Sequence, residues 1–213
     1  MAKDGLKYAM SRRRKNGIIF AVVIFILGLV AIDRLFTESF RQEVLLRTPR
    51  PEGADKYHLK TFKVVKVVDG DTVDLDIPDG KYQTTRIRLL GVDTPETKKR
   101  GEPVMYYGPE ATAFVKGLTL GRNVTVIIDT VSDVRDRYKR LLGYIRLPDK
   151  TILNEQIIER GYGYADLRFD HGDYGKYMQL QKQAIDNKTG LWQTVKRNQL
   201  PRWLQKERPM LLK

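Results

Sequence analysis

The sequence predicts an α+β fold: a small closed barrel of five strands with three helices, preceded by an apolar N-terminal segment. Three observations carry that reading. Five runs of strand length are rich in β-branched residues and alternate apolar with polar, and one amphipathic helical run falls between the third and the fourth. Two further helical runs follow the fifth strand. Near the start, an uncharged aliphatic stretch follows a cluster of basic residues. The 213 residues carry a formal net charge of +13 and no cysteine. A disulfide scaffold, a Cys-ligated metal and a thiol nucleophile are therefore excluded. With only His58 and His171, a multi-histidine metal site is nearly excluded too.

In chain order, residues 1–16 form a basic segment with Lys3, Lys7, Arg12, Arg13, Arg14 and Lys15. Residues 17–34 hold the apolar run, Gly17 to Ile32, closed by Asp33-Arg34. At helical rise the run spans about 24 Å against a hydrocarbon core of about 30 Å, and snorkelling by Lys15 and Arg34 makes up the difference. No polar face argues for a buried helix of a soluble domain, and Gly28-Leu29-Val30 and Leu29-Val30-Ala31 both fail as small-x-small cleavage sites. The reading favours an uncleaved single-pass transmembrane anchor; the alternative is a signal segment and secretion after cleavage. The excess of basic residues before the run places the N-terminus in the cytoplasm and the rest outside, at a cell surface or in a periplasm. Residues 35–57, with Pro49, Pro51 and Gly53, read as a juxtamembrane helix followed by a linker.

Residues 58–193 form the folded domain. Its strands are Thr61–Val68, the run holding Val73, Leu75 and Ile77, Thr84–Leu90, Val124–Ile128 and Leu141–Leu147. Asp74 and Asp76 mark the second as half-buried, and Pro78-Asp79-Gly80 turns the chain after it. The first helix opens at Tyr107-Gly108-Pro109-Glu110, with Ala111, Phe114, Val115 and Leu118 as its apolar stripe and Gly121 as its stop. The second covers Thr151–Arg160 and stops at Gly161; the third covers Asp173–Thr189 and stops at Gly190. This order suits a five-stranded Greek-key barrel of the oligonucleotide/oligosaccharide-binding (OB) type above other α+β layouts. Residues 194–213 read as a basic, partly ordered tail in which Trp203 and Leu204 pack on the domain. His58 reads as an exposed linker residue and His171 as a loop residue before a helix.

Two polar clusters stand at strand ends: Asp69-Gly70-Asp71-Thr72, and Arg88-Leu89-Leu90-Gly91-Val92-Asp93-Thr94-Pro95-Glu96. Taken singly, the first is an ordinary turn and the end of the second an ordinary helix start. If Asp71 and Asp93 meet on the barrel rim, they make an all-oxygen site that suits Ca²⁺ or Mg²⁺ rather than zinc or copper. Arg88 points away from the apolar face of Ile87 and Leu89, and a planar guanidinium suits bidentate recognition of phosphate. Arg140 follows Asp136-Arg137-Tyr138-Lys139 at the start of the last strand.

In their order, Asp-Gly-Asp-Thr, Arg-Leu-Leu-Gly-Val-Asp-Thr-Pro-Glu-Thr, Tyr-Gly-Pro-Glu-Ala and Asp-Arg-Tyr-Lys-Arg closely resemble the staphylococcal nuclease (thermonuclease) family. The resemblance runs from about Thr61 to Trp192 and includes Leu153-Asn154-Glu155 and Gly190-Leu191-Trp192. It implies an OB-fold barrel with three helices and a calcium-dependent endonuclease acting on DNA and RNA with little sequence preference, leaving 3′-phosphates. By the same resemblance Asp71, Asp93 and the Thr94 carbonyl bind Ca²⁺ (Mg²⁺ is the lesser candidate), with Asp69 behind them. Glu96 orients or deprotonates the attacking water; Arg88 and Arg140 grip the scissile phosphate. Arg137 and Tyr138 contact a neighbouring phosphate. The chain departs from the family where Leu167 and Phe169 stand for two tyrosines near the bound base, and where Lys139 stands for a glycine. Phe169 can still stack.

The chemistry of a phosphodiester supports those roles. The anion repels an attacking hydroxide, and a cation with two guanidiniums lowers that repulsion. A carboxylate is ionised at neutral pH and can accept a proton from water, so no nucleophilic side chain is required. The alternative is a membrane-tethered, non-catalytic module that binds single strands; the joint presence of Asp71, Arg88, Asp93, Glu96 and Arg140 speaks against it. The chain is expected to act as a monomer.

Overall fold

The computed structural model describes residues 51–97, 103–209 and 211, together with Phe20, Ile24 and Gly28. The chain divides into two units, Met1–Thr48 and Pro49–Lys213. Apart from those three helical, exposed positions, the anchor read over 17–34 and the juxtamembrane helix after it lie outside the described residues. Among the described residues no helix is long and apolar enough to cross a membrane.

Five strands close the barrel of the second unit: β1 (Thr61–Asp69), β2 (Thr72–Leu75), β3 (Thr85–Leu89), β5 (Asn123–Ile127) and β6 (Leu141–Arg146). Their order around the barrel is β1-β2-β3-β6-β5, with β5 returning to β1. The pairing is antiparallel except between β3 and β6, which run parallel. This is the OB-type α+β barrel expected from the strand pattern. Closure depends on β1. Its first residues, Thr61–Lys63, pair with β5, and residues from Val64 onward pair with β2. Two register shifts, at Val64/Lys66 and Val67/Asp69, bend the strand so that it can serve both neighbours.

The period of two places Val64, Val73, Leu75, Ile87, Leu89, Val126, Leu141 and Ile145 in a fully buried interior. Burial of a side chain of this size contributes about 1.5–3 kcal/mol each. The opposite face of β2 and β3 carries Thr72, Asp74, Arg86 and Arg88. Asp74, read from the sequence as the exposed side of a half-buried strand, is in fact buried. Arg86 covers it, donating from Nε and Nη2 at 2.7 and 3.0 Å.

Helix α1 (Gly108–Thr119) starts with Pro109 in its first turn and bridges β3 and β5. Helix α2 (Leu153–Glu159) is tied to the barrel by Asn154, which is fully buried. Its Oδ1 accepts the Ile145 N–H at 3.1 Å and its Nδ2 donates to the Leu90 carbonyl at 2.9 Å. Helix α3 (Tyr174–Asp186) packs on α2 and turns Tyr177 and Ala184 inward. Three features lie outside the sequence reading. A two-residue strand pair joins β4 (Val92–Asp93) to β7 (Tyr164–Ala165). A fourth helix, α4 (Arg202–Glu207), forms within the stretch read as a tail, and its Leu204 is fully buried in a second core with Tyr164, Leu191, Trp192 and Leu200. Ala54 and Tyr57, read as linker, belong to the barrel core, and His58 is buried rather than exposed: its Nδ1 accepts the Ile128 N–H at 3.1 Å.

Candidate active site

The turn from β1 to β2 carries Asp69, Gly70 and Asp71, and the chain from β3 into β4 carries Arg88 and Asp93. β2 and β3 pair with Thr72 opposite Arg88, so the residue before Thr72 reaches the same rim as Arg88. Gly70 permits this approach, because a Cβ there would stand 2.7 Å from Thr94 Oγ1. Gly91 redirects the chain between β3 and β4 at φ +70°, and a Cβ there would stand 2.5 Å from the His171 ring. The two acid-bearing turns thereby converge.

Arg88 joins them. Its Nη2 donates to Asp93 Oδ1 at 2.7 Å, and its Nη1 pairs with Asp71 Oδ2. The three side chains are only 10–16% exposed. Asp71 is otherwise fixed by its neighbours. Oδ2 accepts the Thr94 N–H at 3.0 Å and the Thr94 hydroxyl at 3.1 Å, and Oδ1 accepts the Thr72 hydroxyl at 2.9 Å. Asp69 lies one layer back: its Oδ1 accepts the Gly70 N–H at 2.8 Å and the Thr97 hydroxyl at 3.1 Å. Glu96 is exposed, and its carbonyl accepts the Met105 N–H at 2.9 Å.

Arg140 arrives from the turn before β6. Asp136 organises that turn: Oδ1 accepts the N–H groups of Tyr138 and Arg140, each at 2.9 Å, and Oδ2 takes Arg140 Nε and Nη2, each at 2.6 Å. Lys139 adopts φ 65°, a left-handed conformation that a glycine takes without steric cost. Tyr138 is exposed between two guanidiniums, with Arg137 at 4.8 Å and Arg140 at 5.4 Å from its ring centre. One polar pocket is lined by Asp69, Asp71, Arg86, Arg88, Glu96 and Arg140. Asp93 and Thr94 border it through their bonds to Arg88 and Asp71.

Phe169 is exposed, with the Arg168 guanidinium 5.6 Å from its ring. Leu167 instead packs against the barrel core. Tyr162 stacks on Phe114 at 4.0 Å, and Tyr164 is buried, so both belong to the core. Burial, with the charge of Asp93 beside it, pushes the Tyr164 phenol well above its usual range. Burial alone would lower the Arg168 pKa, but its bond to Asp166 and the charges of Asp166, Asp93 and Glu207 outweigh that and raise it.

Sequence reasoning missed four contributors. Asp136 stands inside a motif already singled out, and Arg86 follows from the two-residue period that exposes Arg88. Arg168 and Trp203, which reach Asp93 at 3.6 and 2.8 Å, carried no pattern that points to the site.

The oxygens gathered at Arg88 are those of two carboxylates, with the Thr72 and Thr94 hydroxyls on Asp71. Asp71 and Asp93, from separate turns, both reach the Arg88 guanidinium, and their hard carboxylate oxygens suit Ca²⁺ in chemistry, as does a backbone carbonyl such as that of Thr94. Among the described residues no group of three or more His, Cys, Asp or Glu side chains forms a metal cage. A cation here would therefore take some of its ligands from water or substrate.

The arrangement can bring positive charge to an anion from two sides, with the Glu96 carboxylate on the same pocket. Known proteins with the same sequence features agree. A family model described as staphylococcal nuclease homologue matches residues 86–194. The thermonuclease of Staphylococcus hyicus is 38% identical over 141 residues, covering 66% of this chain and 80% of that protein. The thermonuclease of Staphylococcus intermedius is 34% identical over 135 residues, covering 63% and 77%. An uncharacterized endonuclease of Escherichia coli is 32% identical over 146 residues, covering 68% and 84%. On these matches and this barrel, the chain belongs to the staphylococcal nuclease family.

Proposed function

We propose that this nuclease is a calcium-dependent endonuclease that cleaves DNA and RNA with little sequence preference and leaves 3′-phosphates. The observation that carries the reading is Arg88 seated between Asp71 and Asp93, with Glu96 and Arg140 on the same pocket. Asp71, Asp93 and the Thr94 carbonyl are the residues that would hold Ca²⁺, and Asp69 supports them by fixing the Gly70 turn. Bound Ca²⁺ supplies positive charge beside the phosphate and reduces its repulsion of incoming water.

The side chains supply the rest. As substrate enters, Arg88 exchanges a carboxylate partner for phosphate oxygens, and Arg140 approaches the same phosphate from its own turn. Both stabilise the charge that builds as water adds. Glu96 holds the attacking water by hydrogen bond and accepts its proton. The P–O5′ bond then breaks and the departing O5′ takes a proton from solvent water, leaving a 3′-phosphate on one product and a 5′-hydroxyl on the other. Arg137 and Tyr138 meet an adjacent phosphate, and Phe169 offers a ring for base stacking worth about 1–3 kcal/mol. Contacts to phosphate carry no sequence information, hence the weak sequence preference.

The proposal extends to topology. Residues 17–34 anchor the chain with residues 1–16 in the cytoplasm, and the nuclease domain acts outside as a monomer. The basic cluster ahead of the apolar run supports that orientation.

The test is digestion of plasmid, single-stranded DNA and RNA by the chain lacking residues 1–34, with Ca²⁺, with Mg²⁺ and with chelator. Cleavage of all three substrates with Ca²⁺ and its loss with chelator are expected, with 3′-phosphate ends in the products. Full activity in chelator, or 5′-phosphate ends, overturns the reading. Protease accessibility of the domain in intact cells checks the topology.

A further inference from the structure

Beyond the residues that the family model matches, the chain runs through a short turn, Arg197–Gln199, into α4. Leu204 anchors that helix in the second core, fully buried. The anchorage brings the preceding residue, Trp203, to the active-site rim. Its Nε1–H donates to Asp93 Oδ2 at 2.8 Å, while the other oxygen of Asp93 meets Arg88. Arg168 braces the contact. It lies 4.4 Å from the Trp203 ring, donates from Nε and Nη2 to Asp166 at 2.7 Å each, and stands 3.6 Å from Asp93 Oδ2.

We infer that Trp203 is a positioning residue for Asp93: its indole N–H holds one carboxylate oxygen so that the other is directed into the pocket. The inference rests on the proposed role of Asp93 in holding Ca²⁺. The terminal torsion of an aspartate is broad, so an unrestrained carboxylate turns freely. A donor bonded to one oxygen removes that freedom, and a bond to an ionised carboxylate is among the stronger hydrogen bonds. The donor is neutral, so it orients Asp93 without adding a charge that opposes a cation. Groups that orient metal ligands in this way typically matter by about 10–100-fold in metal affinity. The C-terminal segment thus completes a site whose other residues all precede it in the chain.

The substitution Trp203→Phe in the full chain keeps the ring against Arg168 and the Leu204 anchor, and removes the N–H. Calcium affinity of the folded protein by titration calorimetry is expected to fall about 10-fold, beyond the moderate drop in melting temperature in chelator that loss of the hydrogen bond itself brings. At saturating Ca²⁺ the turnover returns close to that of the parent. A purely structural role would lower the melting temperature alone and leave the calcium affinity of the folded protein equal to that of the parent. In the unsubstituted protein, the Trp203 indole N–H resonance is expected to shift on Ca²⁺ titration, a readout that needs no variant. Equal calcium affinity in Trp203→Phe and parent overturns the inference while the calcium role of Asp93 stands. An indole resonance that ignores Ca²⁺ in a parent that binds it overturns the inference as well. A parent that binds no Ca²⁺ overturns both.

Discussion

Arg88 and Arg140 face one pocket, but the two regions that hold them are built on opposite principles. Arg88 lies on a strand paired on both sides, opposite Thr72 and Leu142. Its partners Asp71 and Asp93 come from two different turns, and its side chain is 14% exposed. Arg140 lies in a turn whose organiser, Asp136, is four residues away, and its side chain is 31% exposed. The first region exists only when the barrel has closed. The second is a local turn that carries its own support. Charge at the first site therefore supports the closed barrel as well as the proposed chemistry, whereas at the second the proposed role is chemistry almost alone.

The largest effect is expected at Arg88. Arg88→Ala removes a donor to the phosphate, a loss of about 10²–10³-fold on its own, and also leaves two carboxylates facing each other without their shared cation. Turnover is expected to fall by about 10³-fold or more, and stability by about 2 kcal/mol. Ca²⁺ should raise the melting temperature of this variant more than that of the parent, since the guanidinium no longer competes for the same oxygens. Thermal melts with Ca²⁺ and with chelator check this; an identical calcium response in parent and variant breaks the comparison. Arg140→Ala is expected to lose about 10²-fold in turnover while stability changes by less than about 0.5 kcal/mol. A destabilisation comparable to that of Arg88→Ala would show that the turn is not locally supported.

The same contrast explains what the sequence made legible. The five barrel strands announce themselves by alternation, and α1 by Pro109 at its start and Gly121 after its end. The motifs named the acids and arginines because their chemistry is carried by residue type. That Arg88 itself bridges Asp71 and Asp93 depends on the register of β2 against β3, which no local pattern states. β4 and β7 are two residues each and become strands only by pairing across the fold, Asp93 with Tyr164. α4 is six residues long, too short for a period to show, and its reason to form is the pocket that receives Leu204. His58 stands among Lys56, Tyr57 and Lys60, a setting that looks solvated in sequence. Its burial follows from the Ile128 backbone, 70 residues away. Asp74 likewise looks exposed until Arg86, across the strand pair, covers it.

The smallest effect separates turn geometry from turn charge. Lys139 holds φ 65°, which costs a residue with a Cβ about 1 kcal/mol. The position is nonetheless well determined: its N–H donates to the Asp136 carbonyl at 2.9 Å, and its own carbonyl accepts Arg135 Nη1 at 2.7 Å. Glycine satisfies both bonds without the steric cost. Lys139→Gly is therefore expected to raise stability by about 0.5–1 kcal/mol, partly offset by the greater freedom of glycine in the unfolded chain. Asp136 holds Arg140 through its own backbone and side-chain bonds, so turnover at low salt should stay within about two-fold of the parent, because a single exposed lysine contributes only one phosphate contact. Thermal melts and a salt series of KM distinguish the two effects. A stabilised variant whose KM rises and whose salt dependence weakens would assign Lys139 a direct part in gripping the strand. Its strained backbone would then be the cost of placing a third positive charge beside Arg137 and Arg140.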